Sequence, residues 1–178
     1  MSGHNKWSKI KNKKAVTDAA KSKIFSKMAK LIATASKEAG GDVTSPTLRA
    51  AIDKAKEYNM PADNIERAVK KGAGSDAEAM EAITYEAYGP GGSALVIEAL
   101  TTNRNKAAQE VKHILSKNGF ELAKPGSASW AFVKNQETHE LEPTATVPLS
   151  EEDGEKLESL IEELEDNEEV QNVYTNVE

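Results

Sequence analysis

Lys6, Lys9, Lys11, Lys13 and Lys14 fall within nine residues, and Lys21, Lys23, Lys27 and Lys30 continue the series. Ammonium groups at this density displace the counterions condensed on a polyphosphate backbone, which gives salt-sensitive affinity without sequence preference. His4, Asn5, Trp7 and Asn12 are interleaved with the lysines. The Trp7 ring can stack on an unpaired base, and the polar groups can reach base edges or sugar hydroxyls. The competing reading is a solvated tail with Trp7 packed on a neighbouring helix. The charge density favours nucleic-acid contact.

A second candidate lies in "TTNRNK", residues 101–106. Arg104 can grip a phosphate or a guanine with two donors, and Asn103 can cap a helix or hydrogen-bond RNA. An ordinary capped helix start fits the same residues, and the basic side chain in an acidic region tips the balance towards function. Other motifs carry less. "GPGGS" lacks the lysine and hydroxyl pair of a phosphate-binding loop and reads as a turn. In "KKGAGS", Gly72 fits a helix stop. Trp130 and Phe132 alternate on one strand face, and core packing is the preferred reading over base stacking. His4, His113 and His139 fall in separate elements without ligand spacing, and with no cysteine in the chain no metal site or cofactor is expected.

Charge is unevenly distributed along the 178 residues, whose net charge is −6. Residues 1–37 carry +9, residues 38–72 are neutral, and residues 73–178 carry −15. Two regions with separate tasks are expected. The Glu-rich end reads as a solvated surface or as a screen for the lysines. Charged residues at 29% and hydrophobic ones at 38% suit a soluble globular chain. No apolar run approaches the roughly 18 residues of a membrane span, and the lysine-rich start lacks the apolar middle of a secretory signal. A cytoplasmic location is expected, with neither membrane nor small-molecule substrate as partner.

Ile24, Met28, Leu31, Ile32 and Ala35 recur at helical spacing before Gly40-Gly41. "SPTLRAAIDKAKEYN" offers Ser45 as cap and Pro46 at the first helical position, and "PADNIERAVKKG" repeats the design. These form a basic helical domain, residues 1–74, built as a three-helix bundle. An acidic α/β domain, residues 80–178, follows. "ITYEAY" and "SALVIEAL" form a hairpin about a glycine-rich turn, and a helix with Ala108, Val111, Ile114 and Leu115 on one face comes next. "SASWAFVK" and "TATVPL" read as strands, "SEEDGEKLESLIEELED" as a helix capped by Ser150, and "VQNVYTNV" as the last strand. Without the first hairpin strand, the order is that of the ferredoxin-like split βαβ fold, in an α+β protein.

"GHNKWSKIKNKKA", "LRAAIDKAKEYNMPADNIERAVKKGAG", "YEAYGPGGSALVIEALTTNRNK" and "VQNVYTNVE" together resemble the YebC family. That family includes probable transcriptional regulators and the mitochondrial translational activator of cytochrome c oxidase subunit I. Typical members carry a third small α/β domain between strands like "SWAFVK" and "TATVPL", where this chain has only "NQETHELEP". The resemblance implies a shortened, nonenzymatic regulator of gene expression. Its expected partner is nucleic acid, either duplex DNA or ribosomal RNA, with the ribosome itself as a candidate partner. It adds weight to Asn103 and Arg104. The transcription version binds DNA, and the alternative is a translation factor that relieves stalled peptide synthesis. A remote alternative is an acylphosphatase-like enzyme using Arg104 and Asn103. The oligomeric state is left open.

Overall fold

The computed structural model describes residues 18–178. Two compact units divide them, residues 18–80 and Glu81–Glu178. In the first, α1 (Asp18–Ala39) packs against α2 (Pro46–Glu57) and α3 (Ala62–Ala73). The apolar spacing of α1 buries Met28, Ile32 and Ala35 against Leu48, Ala51 and Ala55 of α2 and Ile65 and Ala68 of α3. The helix stops where Gly40 and Gly41 turn to φ of 61° and 81°, a left-handed conformation that costs glycine little.

Two details of this unit depart from expectation. Ser45 occupies the position before α2, yet its side chain makes no capping bond. Pro46, whose ring presets the helical φ, opens the helix instead. Gly72 does not stop α3 but lies inside it, buried against α1. A Cβ at Gly72 would stand 2.1 Å from the Ala33 carbonyl oxygen. Here the absence of a side chain lets two helix backbones touch. One turn of α1 onward, the buried Ser36 hydroxyl donates to the Val69 carbonyl at 2.6 Å.

The second unit holds β1 (Glu81–Tyr88), β2 (Ala94–Thr101), α4 (Arg104–Lys117), β3 (Leu122–Ala123), β4 (Phe132–Lys134), β5 (Leu141–Pro143), α5 (Glu151–Asp166) and β6 (Val170–Thr175). β1 and β2 form the expected hairpin, in register from Glu81 opposite Thr101 to Tyr88 opposite Ala94. Its turn contains Gly91 and Gly92 at φ of 65° and 76°. The sheet order is β3-β1-β2-β6 with every neighbour antiparallel. The fold is α+β, and β2-α4-β3 is a split βαβ unit.

The strand that splits this unit corrects the sequence-based topology. β1 cannot be left out, because it lies between β2 and β3. "SASWAFVK" yields a 3-10 turn, Ser129–Ala131, and only three strand residues. Those residues pair with Leu141–Pro143, from the stretch expected to be a plain connector. "TATVPL" supplies a single bridge, Val147 to Val177, rather than a strand. The polar, proline-interrupted composition of these pieces suits short extended segments better than central strands. They are used as a cover. Ala87, Leu95 and Ile97 face α4 and α5 across a core with Val111, Leu115, Leu157, Leu160 and Leu164. On the opposite face, Ala94 packs with Ala128, Ala131 and Phe132. β2 is therefore buried on both sides, which accounts for the near-continuous apolar run of "ALVI".

Candidate nucleic-acid interface

α1 positions its lysines by the same periodicity that builds its core. At about 100° per residue, Lys23 and Lys30 lie within about 20° of one another and Lys27 about 40° to one side. Met28, Ile32 and Ala35 occupy the other side and are buried. The stripe from Lys23 to Lys30 is about 10 Å long at 1.5 Å per residue. Lys23 is exposed, whereas Lys27 and Lys30 are half-buried. Lys37 continues the stripe, and its Nζ donates to the Ala77 carbonyl at 2.8 Å. It was absent from the expected set, although its seven-residue offset from Lys30 was the available signal. Lys21 is exposed but falls off the stripe, about 160° from Lys23. His4, Asn5, Lys6, Trp7, Lys9, Lys11, Lys13 and Lys14 lie outside the described residues.

Asn103 and Arg104 belong to the other unit, at the start of α4. The Asn103 side-chain oxygen accepts from the Lys106 backbone N–H at 3.1 Å, a helix cap. Its backbone N–H donates to the Thr101 hydroxyl at 2.9 Å, locking the turn out of β2. Arg104 Nη1 donates to Glu81 Oε1 at 3.0 Å across an exposed surface. Burial pushes the Tyr85 phenol beneath them upward in pKa, with Arg104 opposing the shift. Lys106 pairs with Glu169 at 3.4 Å, and this bond together with Glu110 raises its pKa. Acidic partners thus surround the basic groups at this helix start.

The opposite face of the sheet holds an arrangement that the sequence did not disclose. Glu86 is 7% exposed and accepts from the backbone N–H groups of Gly126, Ala128 and Ser129 at 2.6, 2.9 and 2.6 Å. Burial pushes its carboxyl up, but these donors together outweigh burial and leave it below the ordinary value. The buried carboxylate fixes the loop that carries Trp130. That ring is 62% exposed, contrary to the expectation of core packing. Phe132, two residues on, takes the inward place instead. The intervening 3-10 turn breaks the strand alternation on which the expectation rested.

Among the described residues, no group of three or more His, Cys, Asp and Glu side chains could hold a metal ion, and no helix is long and apolar enough to cross a membrane. A lysine-striped helical unit followed by an acidic α+β unit with a split βαβ sheet defines a two-unit α+β protein. Residues 5–75 match the TACO1/YebC protein N-terminal domain, and residues 80–138 and 133–177 match the TACO1/YebC second and third domain. The chain belongs to the TACO1/YebC family.

A probable transcriptional regulatory protein of Fervidobacterium nodosum is 56% identical over 134 residues, covering 74% of this chain and 53% of the relative. The chain thus spans about half the length of that relative. One of the same description from Caldanaerobacter subterraneus subsp. tengcongensis is 38% identical over 239 aligned positions, covering 100% of this chain and 98% of the relative. Those 239 positions exceed the 178 residues present here, so part of the relative has no counterpart. The two matched segments of the second family model meet at residues 133–138, at the turn between β4 and β5. The crystal structure of the conserved hypothetical protein Aq1575 from Aquifex aeolicus superposes with a TM-score of 0.78 at 30% identity, covering 90% of this chain and 91% of that one.

Proposed function

We propose that this protein is a nonenzymatic, cytoplasmic regulator of gene expression that binds nucleic acid through the lysines of its helical unit. The observation that carries this reading is the stripe of Lys23, Lys27 and Lys30 on a helix whose other side is fixed in a packed core. Charges on a rigid helix lose less freedom on meeting a phosphate backbone than charges on a loose chain. Lys6, Lys9, Lys11, Lys13 and Lys14 extend the same chemistry towards the start of the sequence. Two relatives named as probable transcriptional regulatory proteins support the regulatory class.

The target divides this reading in two, duplex DNA or ribosomal RNA. α1 contains no arginine, asparagine or glutamine, the side chains that form paired hydrogen bonds with base edges in the major groove. That favours a reader of shape and charge, and hence structured RNA, including a role at the ribosome in translation. Neither Asn103 nor Arg104 is required for this reading, because helix capping and the Glu81 pair already occupy them.

A competition tests the choice. The protein is bound to labelled duplex DNA at physiological salt and titrated with purified bacterial ribosomes. Release at or below equimolar ribosomes supports the RNA target. Retention on DNA against a ribosome excess overturns it in favour of transcription.

A further inference from the structure

We infer that Trp130 and Tyr88 form a stacking platform for an unpaired nucleic-acid base, a second binding surface on the α/β unit. This rests on the nucleic-acid reading above and narrows its target to a molecule with single-stranded positions. Trp130 and Tyr88 are 62% and 39% exposed, and both are tied to the loop held by Glu86. The Trp130 ring is exposed without being loosely held. Its indole N–H donates to the Tyr88 hydroxyl at 3.0 Å, and that hydroxyl donates to the Ser127 carbonyl. The residues on either side are anchored, since Ala131 is fully buried and the Ser129 N–H is bound to Glu86. With its only donor satisfied at the edge, the indole has its π-face left for stacking. An apolar ring fixed in water in this way is already in its binding conformation, which lowers the ordering cost of association.

The charge around the ring selects the occupant. Residues 122–136, "LAKPGSASWAFVKNQ", contain Lys124 and Lys134 and no acidic side chain, within a half of the chain that carries −15. Both lysines are exposed. Lys124 begins the turn whose Ser127 carbonyl meets Tyr88, and Lys134 ends the strand that Trp130 leads into. An exposed aromatic face with a cation on each side of it in sequence supplies the ring and the charge that hold a base and its phosphates in single strands. A protein partner would find the same aromatic surface; Glu142, opposite Val133, accepts from the Asn135 amide, and the stretch 122–136 itself carries only lysines as charges, which favours a polyanion.

The test uses the full chain, with a labelled oligouridylate of roughly twelve nucleotides and a mixed-sequence duplex as probes. Trp130→Ala is expected to weaken oligouridylate binding roughly 5- to 150-fold while leaving the duplex unaffected. Trp130→Phe should restore most of the loss, because stacking needs a ring and not an indole. Tyr88→Phe, which removes the acceptor for the indole N–H, should give a smaller loss. Suppose Trp130→Ala binds the oligonucleotide like the parent while Lys23, Lys27 and Lys30 variants bind it less. The platform is then refuted, with the nucleic-acid reading intact. If the parent protein binds neither probe at low salt, both proposals fall together.

Discussion

The helical unit mixes small buried residues with large ones, where the core of the α/β unit is built mainly from large ones. Between α1, α2 and α3, Ala35, Ser36, Ala51, Ala55, Ala68 and Gly72 are buried beside Met28, Ile32, Leu48 and Ile65. Between the sheet and its helices it is Leu95, Ile97, Leu115, Leu157, Leu160 and Leu164. Where small residues bring backbones close, as Gly72 does with Ala33, there is little volume to remove, and that contact is vulnerable to additions. Large side chains leave a cavity when cut, so the α/β unit is vulnerable to truncation. The difference matches their proposed tasks, with the helical unit holding a charged stripe rigid and the α/β unit supporting loops on both faces of a sheet.

Substitutions in opposite directions should separate the two behaviours. Leu160→Ala, in the fully buried sheet-facing side of α5, is expected to cost about 2–5 kcal/mol in urea denaturation. Gly72→Val should cost about 1–3 kcal/mol or more, because the added carbons meet the Ala33 backbone and not a movable side chain. A neutral Gly72→Val would show that α1 and α3 do not approach closely and would break the comparison.

Glu86 sharpens it from the polar side. Glu86→Ala leaves the N–H groups of Gly126, Ala128 and Ser129 without their acceptor, with an expected cost of about 2 kcal/mol. Its folded pKa is depressed, so its contribution is fully present above the unfolded carboxyl value near 4.5 and is lost as pH falls through the lower folded value. Stability measured from neutral pH into that acid range should therefore fall less steeply in Glu86→Ala than in the parent. Equal slopes would mean that the carboxylate is not held ionised. Smaller effects come from the start of α4. Asn103→Ala should lose about 1 kcal/mol as a missing cap, and Arg104→Ala less than that, since the Glu81 pair is exposed.

Periodicity made most of this fold legible. The spacing of Ile24, Met28, Ile32 and Ala35 marked α1, and Ser150 marked the start of α5, where its hydroxyl accepts from the Asp153 N–H at 3.2 Å. Local patterns do not specify which strands pair. "SASWAFVK" alternates like a strand, but Glu86, forty residues away, pulls its first half into a turn through hydrogen bonds invisible to a local reading. Gly72 misled for a related reason, since a glycine near the end of a helical pattern looks the same whether it stops the helix or admits a neighbour. The lysines were visible as charge, but their division into a stripe and the outlying Lys21 required the rotation of a helix fixed by its core.

The central claim is that the stripe on α1 binds nucleic acid through charge alone. Its most direct test is the affinity of the full chain for a structured RNA and for two unrelated duplexes across a salt series, with Lys23, Lys27 and Lys30 all replaced by glutamine. The account predicts weaker binding to every probe and a salt slope reduced by about 2–3, roughly one unit for each phosphate no longer neutralised. A slope equal to that of the parent, or a weakening confined to one sequence, would contradict it.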